Sequence, residues 1–553
     1  MTDSPHPAGF SLVDEAWIPV LDGAGRRRDV SLLGLFQQAG ELRMIACELP
    51  TQSFAVLRLA LAVLHRATGG PPGEAAWRAL WRSGELPQSD IADYLGEFRD
   101  RFDLLHPEHP FYQVAGLQPD GKEREYGLEK LIADVPNGLP YLTNRAGPGL
   151  ESVTPAEAAR WLVHCQAYDP SGIKTGAIGD PRVSGGKVYP LGTASVGALG
   201  GVHLEGDTLR DTLLLNLVPV APGWLAGDER DLPMWERKPL TAAEEPAATR
   251  GPFGVLGLYT WQSRRIRLFG DARAITGAMI SYGDVLDWQD RHLMEPMSVW
   301  GRSAPREKAQ KKSVVYLPRP HDHTRALWRG LQTLLPPPPE GRDVPQRRSP
   351  IVLQWLAHLH VAGAVPATFQ ARPRATSIAY GVKQAVVDEV FSDGLTMSVL
   401  VLAEGSPLRT TAVDAAGDAE AAVRVLRTLA TNLARAAGSR DPGDGEADRA
   451  AERAYALLDR AFRDWLAGLG PGSDPTAERA AWQQRVRRAV ARLGAELVEA
   501  AGPAAWVGRS GTDRNGQPVH YSSAQAEAWF RAGLGKALPL AGEPASDRQE
   551  EAA

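Results

Sequence analysis

The feature that most restricts the fold is a change of period near Thr411. Beyond it, apolar residues recur every three or four positions in four separate stretches, which places each set on one face of an α-helix. Val423, Leu426, Leu429 and Leu433 form one stripe, and Tyr455, Leu458, Phe462 and Trp465 a second. Trp482, Val486, Val490, Leu493 and Leu497 form a third, and Ala526, Phe530, Leu534 and Leu538 a fourth. The breaks Gly438–Gly445, Gly468–Asp474 and Gly508–Pro518 suit turns between antiparallel neighbours, so a C-terminal four-helix bundle is expected.

The preceding sequence has no single period. From Phe10 to about Arg374, short apolar segments such as Trp17–Leu21 and Val352–Trp355 alternate with helical stretches and many Gly or Pro breaks. The expected fold class is α+β: an irregular mixed N-terminal domain over residues 1–375, then a loop and the helical domain over 376–553. A length of 553 residues supports such a division into domains. Thr241–Thr249 and Pro336–Pro350 are expected at the surface; the second contains four consecutive prolines, which fit neither a helix nor a central strand.

A formal net charge of −5 argues against a broad electropositive face, so any phosphate contact must be local. Basic clusters occur at Arg26–Arg28, Arg264–Arg267, Arg306–Lys312 and Arg485–Arg488, and each taken alone reads as solvated surface. The two cysteines, Cys47 and Cys165, have no paired spacing, which disfavours a disulfide framework or a cysteine zinc site and fits a reducing cytosol. Met1–Gly9 does not read as a signal peptide. Phe54–Leu64 is interrupted by Arg58 and is far shorter than the roughly 20 residues of a membrane helix, so a buried helix, a cytoplasmic chain and no membrane partner are expected.

Ser171–Gly206 carries Gly185, Gly186, Gly192, Gly197, Gly200, Gly201 and Gly206, whose backbone could approach a ligand closely. A nucleotide-binding loop is the rival reading, because Lys187 follows two glycines, but no Ser or Thr follows it and the G-x-x-x-x-G-K-[ST] spacing is absent. His106, Glu108 and His109 lie between prolines that break the helix a zinc-binding H-E-x-x-H motif needs. His321-Asp322-His323 reads as a surface cluster, and His358 with His360 as packing. No metal, cofactor or catalytic residue is expected, and no G-x-S-x-G elbow is present.

Five strings occur in order: Phe10-Ser-Leu-Val-Asp-Glu-Ala-Trp-Ile-Pro-Val20, His106-Pro-Glu-His-Pro-Phe111, Leu128-Glu-Lys-Leu131, Leu209-Arg-Asp-Thr-Leu-Leu-Leu-Asn216 and Leu258-Tyr-Thr-Trp-Gln262. Their order resembles the CasA family, large subunits of type I-E CRISPR Cascade complexes, and a mixed domain followed by four helices is also that family's architecture. The resemblance implies a non-catalytic subunit that inspects the protospacer-adjacent motif of double-stranded DNA through the minor groove. It further implies R-loop formation and recruitment of the helicase-nuclease. The other implied partners are the crRNA 5′ handle and subunits of the CasB, CasC, CasD and CasE types.

The resemblance also assigns residues. The family's glycine loop falls at Gly192–Gly201, giving Gly192, Gly197, Gly200 and Gly201, which suits a narrow groove read without side chains. Tyr380-Gly-Val-Lys-Gln384 is similar to the segment whose glutamine wedges between base pairs, so Gln384 takes the wedge position and Lys383 a phosphate or groove contact. Arg291 stands where the family has a lysine finger, and Leu139–Arg145, with Leu142, Thr143, Asn144 and Arg145, matches the loop that reaches the guide handle. Arg485, Arg488 and Arg492, off the apolar stripe of the third helix, are candidate phosphate contacts for displaced DNA. Two alternatives stay open: an assembly adaptor without DNA reading, and a nucleotide-dependent enzyme using the glycine-rich loop.

Overall fold

The computed structural model describes residues 9–121, 126–135, 151–336, 345–439, 444–512 and 516–542. The chain is mixed α+β and divides into two compact units. The first comprises Met1–Thr324, Pro336–Ala364 and Arg372–Gly394, and the second Arg325–Leu335, Val365–Ala371 and Leu395–Ala553. The chain therefore passes between the units more than once, and the expected junction after residue 375 falls inside a strand, Pro373–Tyr380.

The first unit opens with an antiparallel sheet in which β1 (Ile18–Asp22) lies between β2 (Arg27–Val30) and β3 (Leu42–Ile45). Helix α1 (Pro50–Thr68) follows, with proline in its first turn, and is buried along nearly its whole length. Arg58, which interrupts its apolar run, is buried as well: its guanidinium grips the Glu295 carboxylate through two bonds of 2.9 and 2.7 Å and lies 4.4 Å from the Tyr259 ring. A buried guanidinium is tolerated only when so paired, and removing one partner costs about 3–5 kcal/mol. Helix α2 (Pro155–Tyr168), capped by the Thr154 hydroxyl, packs on α1.

Two antiparallel ribbons, the short β4 (Lys174–Thr175) with β5 (Lys187–Val188) and the longer β7 (Arg264–Gly270) with β8 (Ile275–Tyr282), are separate from a three-stranded antiparallel sheet. In that sheet β9 (Pro373–Tyr380) lies between β6 (Gly201–Leu204) and β10 (Val387–Gly394). Val352–Trp355 belongs to a helix, α3 (Ile351–Val361), because Pro350 starts it and the apolar positions continue to Leu359 with helical spacing. The arginine cluster at the start of β7 corrects the reading of a solvated face. Arg264 and Arg265 are buried, and Arg265 donates to the Thr241 and Ala243 carbonyls and to Asp284, fastening the 241–249 segment to the unit.

The second unit is built on four helices: α4 (Pro407–Ala436), α5 (Gly445–Gly468), α6 (Pro475–Ala500) and, after a ribbon of β11 (Arg509–Thr512) and β12 (Pro518–Tyr521), α7 (Ser523–Ala537). Helix α4 packs against each of the other three. Trp482 is fully buried, donates to the Ala415 carbonyl at 2.8 Å, and meets Phe462 and Trp465 at ring separations of 5.1 and 5.6 Å. The break expected at Gly508–Pro518 enters the ribbon of β11 and β12 rather than a simple turn, and a short helix (Gly502–Val507) precedes it. Both are held by Tyr521, which packs with Ala436 and Ala505. The returning segment Arg325–Leu335 is stitched into this unit: Trp328 stacks on Phe462, and Glu420 accepts from Arg325, Arg329 and Tyr455.

Candidate nucleic-acid interface

Strands β9 and β10 pair up to Tyr380↔Val387, leaving residues 381–386 as the connection. Its tip is closed by three backbone bonds, Gln384 N–H to Gly381 O at 2.9 Å, Ala385 N–H to Val382 O at 3.2 Å, and Gly381 N–H to Val386 O at 3.0 Å. Lys383 and Gln384 adopt φ values of 55° and 56°, the left-handed region that disfavours any residue with a Cβ. Two successive residues of this kind persist only where the surroundings dictate the backbone. Val382, Lys383 and Gln384 are all exposed.

The stem of this hairpin is fixed from below. The Tyr380 hydroxyl donates to the Tyr168 carbonyl at the end of α2, at 2.7 Å. The space for that hydroxyl exists because residue 197 is glycine: a Cβ there would overlap the Tyr380 oxygen. Gly200 and Gly201 are buried for similar reasons, Gly200 under the Arg319 carbonyl, and Gly201 in β6 against the Phe54 ring and the Thr376 carbonyl. Gly197, Gly200 and Gly201 are thus enclosed by the protein's own atoms, which corrects their reading as an open groove-facing backbone. Of the four, Gly192 alone is partly exposed, with φ 116° and room around its α-carbon.

The segment that the fold does bring beside the turn is Asp169–Lys174, which lines a shallow cleft together with Ala385–Val387. This segment is held by a buried network. Asp169 forms ion pairs with Arg264 and with Lys174, the latter at 2.5 Å. Burial opposes ionisation of this carboxyl, but the two cations outweigh it and hold its pKa below the ordinary value. Arg264 also donates to the carbonyls of Asp169, Pro170 and Gly192 at 3.1, 3.3 and 3.1 Å, tying Gly192 to the same segment. The Tyr282 hydroxyl bonds both the N–H and the carbonyl of Gly172, at 3.1 and 2.8 Å. The result is a rigid backbone surface with exposed Ile173 beside an exposed, cationic turn.

The glycine-rich run had marked this region, but no periodicity or motif singled out Asp169–Lys174, because the residues that fix it, Arg264 and Tyr282, lie about a hundred positions away. Gly185 and Gly186 form a tight turn immediately before β5, bridged at Ser184↔Lys187. Lys187 lies in a strand, whereas a phosphate-cradling loop runs into a helix N-terminus, so this geometry does not favour the nucleotide-enzyme reading.

Arg291 lies in the connection after β8, half-buried, its guanidinium 3.5 Å from the Asp287 carbonyl and 3.9 Å from the Met294 sulfur. Leu142, Thr143, Asn144 and Arg145 lie outside the described residues. Arg485, Arg488 and Arg492 are exposed along one side of α6, opposite Trp482, Val486, Val490 and Leu493. His106 and His109 stack on each other at 3.5 Å, His321 bonds the Gly201 carbonyl, and His323 bonds Ser377. Among the described residues no group of three or more His, Cys, Asp or Glu could hold a metal ion, and no helix is long and apolar enough to cross a membrane.

An exposed cationic turn on a rigid mount has the build of a binding surface. A family model described as "CRISPR-associated protein Cse1" matches residues 11–493. The chain belongs to this Cse1 family of CRISPR-associated proteins. It is similar to the "CRISPR-associated protein CasA/Cse1" of Thermus thermophilus, at 34% identity over 334 residues, covering 59% of this chain and 60% of that relative. The chain thus spans about 60% of the length of the curated relative it matches. The crystal structure of Thermobifida fusca Cse1 superposes with a TM-score of 0.88 at 45% identity, covering 97% of this chain and 99% of the other. That of Acidimicrobium ferrooxidans Cse1 does so with a TM-score of 0.80 at 30% identity, covering 97% and 99%.

Proposed function

We propose that this chain is the non-catalytic large subunit of a type I-E CRISPR surveillance complex, reading the protospacer-adjacent motif of double-stranded DNA through the minor groove. Partly exposed Gly172 and Gly192, on the backbone surface fastened by Arg264 and Tyr282, enter the groove without side-chain bulk. Lys383 contacts a phosphate or the groove edge, and Gln384 wedges between base pairs so that the guide RNA can invade. Arg291 serves as a further cationic finger. The helical unit, whose four long helices are read as a bundle, guides the displaced strand with Arg485, Arg488 and Arg492. Leu142, Thr143, Asn144 and Arg145 contact the crRNA 5′ handle and neighbouring subunits. Recruitment of the helicase-nuclease completes the cycle.

The observation that carries this reading is the pair of left-handed residues, Lys383 and Gln384, held exposed on an anchored hairpin. The test is reconstitution of the complex with Lys383→Ala and Gln384→Ala combined. Motif-dependent duplex binding and R-loop formation should both fall. If both are unchanged, an assembly adaptor becomes the better account.

A further inference from the structure

The hairpin tip presents an apolar side chain that the reading above does not use. Val382 is 83% exposed, the most exposed large apolar residue among those described, and it directly precedes the two left-handed residues. Its neighbour across the turn behaves differently. Val386 is 36% exposed and folds back on the turn, its methyl 3.0 Å from where a Cβ on Gly381 would stand. Val382 has no such cover, although the three backbone bonds of the turn and the Tyr380 anchor hold its backbone in place.

We propose that Val382 is the apolar face of the strand-separating wedge, inserting against the base step next to the recognised motif while Gln384 supplies the polar contact. The inference rests on the reading of this turn as a DNA-contacting element and adds an apolar side chain that unstacks the step together with Gln384. Two physical arguments and the residues around the tip favour a base step as the occupant. Proteins that kink or open duplex DNA from the minor groove insert apolar wedges, because a base face is apolar and displaces no hydrogen-bonded water from the side chain. A β-branched side chain is stiff at χ1, so a valine held on a fixed backbone loses little freedom on insertion. Lys383 places a cation beside it at the tip, complementary to the flanking phosphates, while the exposed carboxylates Asp388 and Glu389 stand further down the hairpin. Ile173, 52% exposed on the neighbouring segment, extends the apolar surface on the other side of the cleft that Val386 lines.

The experiment uses the reconstituted complex and a duplex carrying 2-aminopurine at the step beside the motif. Because Val382 is exposed, its replacement should leave the fold intact. Val382→Ser is expected to reduce the fluorescence rise on binding and to slow R-loop formation by about tenfold, a fraction of the cost of unstacking one base step. Val382→Ile should keep both signals, and a duplex already mismatched at that step should restore the serine variant. Wild-type unstacking by Val382→Ser alongside lost unstacking by Gln384→Ala overturns the inference and leaves the reading of the turn intact. Wild-type behaviour of both variants overturns the reading itself. Reduced recovery of assembled complex with Val382→Ser assigns the side chain to a protein partner and also overturns the inference.

Discussion

The 381–386 turn and the outer face of α6 both present cations to solvent, by different physical means. In the turn, Lys383 and Gln384 occupy a backbone region that costs about 1–2 kcal/mol per residue with a Cβ. The stem is bolted through Tyr380 to α2 in a space that Gly197 keeps open. On α6, Arg485, Arg488 and Arg492 sit in ordinary helical geometry and follow simply from the buried stripe on the opposite side. On the proposed function, the strained mount fixes the direction of a side chain. A helix suffices where only charge matters.

The comparison can be broken or sharpened in order of expected effect. Trp482→Ala removes the buried centre of the helical unit and should cost about 3–5 kcal/mol, read as a lower denaturant midpoint. Acidification should act on the other unit. Burial lowers the pKa of His65, His164, His203 and His292 from the ordinary 6.5 to about 4. Between those values the unfolded chain takes up protons that the native unit does not, so stability is full above pH 6.5 and falls as the pH drops towards 4. All four histidines lie in the first unit, so hydrogen exchange should show it opening before the helical unit, whose only histidine is the exposed His520. Equal acid sensitivity of the two would contradict this.

Smaller effects follow for the turn and the arginines. Gly197→Ala forces a methyl onto the Tyr380 hydroxyl, and should destabilise by about 1–3 kcal/mol and weaken duplex binding although residue 197 is itself buried. Lys383→Gly should do the reverse for stability, raising it by about 1 kcal/mol in denaturant titrations through relief of the left-handed strain, while duplex affinity falls. Replacing Arg485, Arg488 or Arg492 by alanine should shift stability by less than about 0.5 kcal/mol. Each replacement should lower the salt dependence of single-strand binding by about 0.7 in log–log slope. A flat salt response would remove the α6 face from the proposed strand path.

Much of the helical unit was legible because a helix writes its burial into local spacing. Val423, Leu426, Leu429 and Leu433, and Trp482, Val486, Val490 and Leu493, are buried as their periods predict. The expected buried helix around Phe54–Leu64 is likewise present. The ribbon before α7 was not legible, since its stability comes from Tyr521 meeting Ala436 far along the chain. The candidate site divides in the same way. Lys383 and Gln384 are proposed from a local string, but their left-handed backbone is not legible in it. The glycines of 192–201 looked equivalent in sequence and proved otherwise, because three of them are spaces for Tyr380, Arg319 and Phe54.

By itself, then, the sequence determined the mixed α+β class, the helical stripes and, through the order of its motifs, the family. These depend on local spacing or on residue identity. Only the tertiary structure decided that Arg264 and Arg265 are buried fasteners, and that Asp169–Lys174 stands beside the turn. It also decided which glycine is open. Each of these depends on side chains from distant parts of the chain meeting in one place, and no local period encodes which cation will be enclosed or which missing Cβ will be filled.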